Sequence, residues 1–212
     1  MRVFQFKFLI ALVAGGCLPA VLPPSSAAGT GAAGTARGGV VSEARLGLAA
    51  HGLDFNGGED APEGGANVSA ELLFTSPKIF RYILQPRPFV HGSLNTRGDT
   101  SFYGLGLAWE QHVFQDRAFG EFDFGVARHD GIIDPPPADD PAFMDIARNR
   151  NLLGARYLFR ISIGVGYKLS DRWRVQAFYE HLSNDLLLNG ESTDRNQGLD
   201  NVGVRIGYRF GE

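Results

Sequence analysis

The segment YLFRISIGVGYK, residues 157–168, puts Tyr157, Phe159, Ile161, Ile163, Val165 and Tyr167 on one phase of a two-residue period. The other phase holds Arg160, Ser162 and Gly164. Side chains of a strand alternate between its faces, so this pattern builds a strand with one apolar face and one polar or glycine face. The period recurs in eight segments: residues 42–55, 66–75, 88–95, 100–114, 118–129, 154–169, 173–184 and 199–210. Their polar phase includes Arg45, Gly47, Glu71, Glu110, Glu121, Asp123, Arg205, Gly207 and Arg209. Alternation alone does not say which phase faces inward, because a soluble lipocalin-like barrel has the same period in the opposite sense. The glycines decide. On a solvent face they weaken a strand without return, whereas in a narrow lumen they make room for long Arg and Glu side chains. Short connections at 115–117 and 170–172 alternate with long ones at 129–153 and 185–198, an asymmetry typical of membrane barrels. The segment SPKIFRYILQPR, residues 76–87, is longer than a usual periplasmic turn and departs from that rule. The expectation is an all-β fold, an eight-stranded antiparallel transmembrane β-barrel of the outer membrane. Such a barrel is filled by side chains, which argues against a porin.

The rest of the composition fits an exported barrel. The chain begins MRVFQFKFLIALVAGG, with Arg2 and Lys7 before an apolar run and small residues near Ala28, the layout of a cleaved signal peptide over residues 1–28. Residues 29–40 read as a flexible Gly/Ala-rich lead-in and 41–212 as the barrel. The single cysteine, Cys17, lies in the signal, leaving no disulfide or thiol nucleophile downstream; a lipoprotein site there is the alternative. No uninterrupted apolar run of helical membrane-spanning length follows the signal. The 20 basic and 23 acidic residues provide no basic face for nucleic acid. Glycine (28) and phenylalanine (16) far outnumber methionine (2), which favours strands over helices.

Near the C-terminus, YEHLSN (179–184) and NQGLDNVGVRIGYRF (196–210) interrupt the apolar phase with His181, Ser183 and Asp200. Same-face residues directly opposite on antiparallel neighbours lie about 5 Å apart. Asp200 can therefore reach the His181 imidazole while Ser183 approaches it from the next same-face position, the order of roles in a Ser-His-acid triad. The plainer reading is that outer strand ends leave the hydrocarbon and carry polar residues freely. His51, His91, His112 and His129 lack metal-ligand spacing and read as solvated or hydrogen-bonded. The acidic stretch DGIIDPPPADDPAFMD (130–145) reads as a solvated loop.

The same residues resemble the lipid A 3-O-deacylases of the PagL type, the acyloxyacyl hydrolase family, in which H-x-S-N precedes N-x-G and an acid. Weaker similarity runs through ARLGLAAHGLDF, ANVSAELLF, FGVARHDG and GARYLFRISIGVGY. The resemblance implies an outer-membrane serine esterase, with no metal or cofactor, that removes the ester-linked 3-hydroxyacyl chain at position 3 of lipid A. It implies His181 as base, Ser183 as nucleophile, Asp200 as acid and Asn184 as an oxyanion donor. Its partners would be lipopolysaccharide of the outer leaflet and membrane lipids, with a homodimer left open. Asp200 stands where the family often has Glu, and the loop after Asn184 is longer than the family pattern. A non-catalytic structural or adhesive barrel and an outer-membrane phospholipase are the competing functions.

Overall fold

The computed structural model describes residues 39–53, 62–114, 116–184 and 198–211. The stretches read above as a signal peptide with Cys17 and as a lead-in up to residue 38, the end of the expected strand 42–55, and residues 185–197 lie outside the described residues. Eight antiparallel strands close on themselves in chain order, each pairing with its sequence neighbour and β8 returning to β1. They are β1 (Val41–Ala50), β2 (Ala66–Phe74), β3 (Arg87–Asn95), β4 (Phe102–Val113), β5 (Ala118–His129), β6 (Tyr157–Lys168), β7 (Trp173–Ser183) and β8 (Leu199–Arg209). Closure removes every sheet edge, as a strand structure in hydrocarbon requires.

The apolar phase faces outward. Leu46, Leu48, Leu105, Ile163, Val165 and Val204 are all exposed on the barrel wall. The polar phase is buried in the lumen as a connected ion network. Arg45 donates to Glu43 at 2.6 Å, to Glu71 at 3.0 Å, and to both carboxylate oxygens of Glu121 at 2.6 and 2.7 Å. Arg205 donates to Gln176, Glu121 and Asp123; Arg160 to Glu180; and Arg87, Arg174 and Arg209 all to Glu110. Buried charges persist only when paired in this way. Two glycines make the packing possible: a β-carbon at Gly164 would come within 2.3 Å of Gln176 Nε2, and one at Gly207 within 2.6 Å of Glu43 Oε1.

One end of the barrel carries the β1–β2, β3–β4, β5–β6 and β7–β8 connections. There the reading of 130–145 as a plain loop needs correction, because Pro141–Asn149 form a short helix, α1. Asp140 caps it, accepting from Ala142 N at 2.8 Å, with Pro141 in the first turn.

Three of these connections converge on the buried carboxylate of Glu63. It accepts from His51 Nε2 at 3.1 Å, Thr100 Oγ1 at 2.9 Å, Thr100 N at 3.2 Å, Arg150 Nε at 2.9 Å and Asn151 N at 3.2 Å. Burial opposes its charge, but the donors from His51, Arg150 and Thr100 prevail and hold its pKa down to about 2. A carboxylate with a depressed folded pKa contributes stability that is fully present above its unfolded value and is lost as pH falls through the folded one. Lowering the pH from 5 toward 2 is therefore expected to release this hub, read as a loss of protection of the Thr100 and Asn151 amides relative to their intrinsic exchange rates at each pH. Glu63→Gln is expected to show fast exchange already at pH 7.

Candidate functional site

Strands β7 and β8 bring the three polar residues of the apolar phase to the loop-rich end. His181 is paired directly with Asp200 in the β7–β8 register, and Ser183 is paired with Phe159 across β6–β7. The residues between them point the other way and fix the arrangement. Leu182 and Leu199 are buried, with 0% and 1% of their surface exposed, in an apolar cluster with Phe102, Ala127, Leu153 and Leu158. A one-residue slip of either strand would turn those leucines out and the polar trio in. The core cluster thus holds the site on the outer wall.

Asp200 Oδ1 accepts two hydrogen bonds, from His181 Nδ1 at 2.7 Å and from the Tyr179 hydroxyl at 2.6 Å. A carboxylate only accepts, so Nδ1 carries the proton and the neutral ring presents Nε2 as its lone-pair nitrogen. The backbone of Asp200 is held as well, its carbonyl accepting from Leu53 N at 2.9 Å. On the inner face, Asn201 donates to Glu180 at 3.1 Å, tying the same two strands together one residue further along. Gly198 closes the other side of the ring. Its φ is +68°, and a β-carbon there would stand 3.1 Å from His181 Cε1 and 3.8 Å from Nε2. Glycine thus provides both the left-handed backbone and the clearance beside the imidazole.

Ser183 is only 8% exposed and shares the outward face of His181. Among the described residues no hydrogen bond joins its hydroxyl to the imidazole. The acid-to-histidine half of the arrangement is closed and the serine half is open, which is common before substrate tightens a site. Asn184 is buried, and its amide donates to Leu153 O at 3.3 Å, bracing the β5–β6 connection. One amide hydrogen of Asn184 is thereby engaged, and among the described residues the other meets no acceptor.

Tyr179 is the residue that sequence reasoning did not bring to this site, because an aromatic near a strand end equally fits the membrane interface. The signal for it was its position, two residues before His181 on the same face and diagonal to Asp200. Tyr179→Phe removes one of two donors to the carboxylate and leaves the His181 bond in place. A hydrogen bond to a charged group contributes about 1.5–3 kcal/mol, so hydrolytic activity measured on lipid micelles is expected to fall by about 10- to 100-fold, with the fold unchanged.

Of the other histidines, His129 Nε2 donates to Ala155 O at 2.6 Å, and His112 lies 2.7 Å from Glu110. His91 is buried in the lumen, 3.5 Å from Glu71 and 3.8 Å from Glu180.

Residues 84–209 match the sequence model of a family described as lipid A 3-O-deacylase (PagL). No curated protein sequence matches the chain at a significant level. Among solved structures, the outer membrane enzyme PagL superposes with a TM-score of 0.52 at 15% identity, covering 78% of this chain and 98% of that one. Neisserial surface protein A superposes with a TM-score of 0.44 at 10% identity, covering 80% and 96%.

Proposed function

Because the chain belongs to the lipid A 3-O-deacylase (PagL) family of outer-membrane ester hydrolases, we propose that its Ser183, His181 and Asp200 hydrolyse the ester-linked 3-hydroxyacyl chain at position 3 of lipid A. The observation that carries this reading is the 2.7 Å bond from His181 Nδ1 to Asp200 on the outward face. It leaves a basic Nε2 at the level of the wall where an outer-leaflet lipid lies.

Ser183 Oγ attacks the ester carbonyl as His181 Nε2 takes its proton. Asp200 holds the ring in the productive tautomer and stabilises the imidazolium. The oxyanion of the tetrahedral intermediate is met by N–H groups near Ser183, with the remaining amide hydrogen of Asn184 a candidate. Collapse breaks the bond to the sugar oxygen, which receives the proton from His181 and leaves as the 3-hydroxyl. Water from the headgroup layer then attacks the acyl-serine with His181 as base, releasing a 3-hydroxy fatty acid. Attack from the barrel's own wall suits a substrate whose acyl chains never leave the leaflet.

An outer-membrane phospholipase would use the same three residues, and the family match favours lipid A over it. Purified barrel in micelles is expected to release 3-hydroxy fatty acid from lipid A and to leave phosphatidylethanolamine intact. Release of fatty acid from phosphatidylethanolamine alone would transfer the site to the phospholipase reading, and release from neither would favour a non-catalytic barrel.

A further inference from the structure

The connection between β2 and β3 is longer than a periplasmic turn needs to be, and the esterase chemistry at the other end of the barrel does not use it. Its core is a 3-10 helix, Lys78–Ile83. The stretch SPKIFRYILQPR contains Lys78, Arg81 and Arg87 and no acid; Arg87 pairs with Glu43 and Glu110 in the lumen, and Ile79, Tyr82, Ile83 and Leu84 are all strongly exposed. Leu84 and Gln85 follow at φ +67° and +53°, two successive left-handed residues without glycine. That costs energy, and hydrogen bonds hold the bend: Gln85 N donates to Phe80 O and Trp109 Nε1 to Ile83 O, both at 2.8 Å. Trp109 belongs to the outward phase of β4, so its bond anchors the arm to the outside wall at that end.

Between arm and wall runs a groove of about 870 Å³, lined by Arg81 and Leu84 of the arm and by Trp109, Phe122, Ile163 and Val165 of the wall. Gly120 also lines it, and a β-carbon there would meet nothing within 4 Å, so the wall is notched where a side chain is missing. Arg81 is oriented by its neighbour, donating to the Tyr82 hydroxyl with its guanidinium 4.6 Å from the ring centroid.

We propose that this arm and the β4–β6 wall bind one anionic phospholipid of the periplasmic leaflet, an acyl chain lying in the groove and the phosphate on Arg81. The leaflet assignment rests on the reading that puts the His181 end in the outer leaflet. Gln85 and Gln111 also border the groove, as do Glu110 and Glu121, whose carboxylates pair with arginines of the lumen. The outward side chains of Leu84, Trp109, Phe122, Ile163 and Val165 give the apolar, lipid-facing surface that fits an acyl chain. Arginine presents planar paired donors that match phosphate, and Lys78, in a stretch that contains no acid, adds positive charge for an anionic headgroup. Lipopolysaccharide occupies the opposite leaflet, so phospholipid is the occupant at this level.

The test is native mass spectrometry of the intact barrel released from zwitterionic micelles doped equally with dioleoyl phosphatidylglycerol and dioleoyl phosphatidylcholine. One phosphatidylglycerol is expected to remain bound in preference to phosphatidylcholine. Arg81→Gln and Gly120→Leu, the latter filling an open notch, are each expected to reduce its retention at least about threefold. Both variants should deacylate lipid A like the wild type, which shows that they fold. Equal retention of the two lipids, retention unchanged in both variants, or a retained second copy of the chain in place of lipid would overturn the proposal. Failure of the esterase reading leaves a different record: no deacylation by any protein, with the selective adduct intact.

Discussion

Ser183→Ala is expected to abolish lipid A deacylation, lowering kcat by on the order of 10⁴-fold or more, while the barrel folds and binds substrate as before. The size follows from the nucleophilic role proposed for the hydroxyl. Removing the nucleophile of a Ser-His-acid unit leaves only binding and oxyanion stabilisation, and the members of such a unit fail together. The stability cost is small, because Ser183 lies at the end of β7 and among the described residues makes no hydrogen bond that alanine would lose. A heat-modifiable shift on gels, the usual mark of a closed barrel, should be the same in wild type and variant. If the variant kept a tenth of the activity, Ser183 would not be the nucleophile.

Asp200→Asn is expected to cost between about 10² and 10⁴ in kcat with little change in KM. The amide is nearly isosteric, so Tyr179 and His181 keep a neighbour of the same shape. What changes is the proton. Asn can turn its NH₂ toward Nδ1, which favours the tautomer with hydrogen on Nε2, the nitrogen proposed to accept from Ser183. The lost charge also leaves the imidazolium of the transition state without its counter-ion. A structural role for Asp200 alone predicts a different result, in which the variant loses thermal stability and activity in parallel. Measuring kcat, KM and the unfolding temperature on the same preparation separates the two.

Much of this molecule is legible as a period of two. The eight strands follow from alternation, and β5 matches its expected ends at both Ala118 and His129 because turn signals bracket it. The overrun of β1 has a local cause. Gly52 adopts φ +62°, and a β-carbon there would stand 2.5 Å from Glu63 O, so the chain leaves the sheet at Ala50, and Leu53 falls out of step with the phase of Leu46 and Leu48. Helix α1 was hidden by its length. Nine residues behind three prolines make too short a stretch for a 3.6-residue period to show, although Asp140 and Pro141 carried the cap signal. The pairing of His181 with Asp200 was readable, since both interrupt an apolar phase and the strands are adjacent. Tyr179 was not, because an aromatic near a strand end also fits an interfacial girdle, as Trp173 and Tyr208 do with their rings 4.9 Å apart. The Glu63 hub was equally out of reach, as it joins three connections whose convergence no periodicity encodes.

The central claim is that Ser183, on the lipid-facing wall, removes one hydroxyacyl chain from lipid A. Its most direct test is mass spectrometry of lipid A extracted from Gram-negative cells expressing the wild type or Ser183→Ala, with equal amounts of folded barrel in the outer membrane. Lipid A lighter by one 3-hydroxyacyl group with the wild type, and full-length with the variant, is the result expected. Full-length lipid A in both, or shortened lipid A in both, would contradict it.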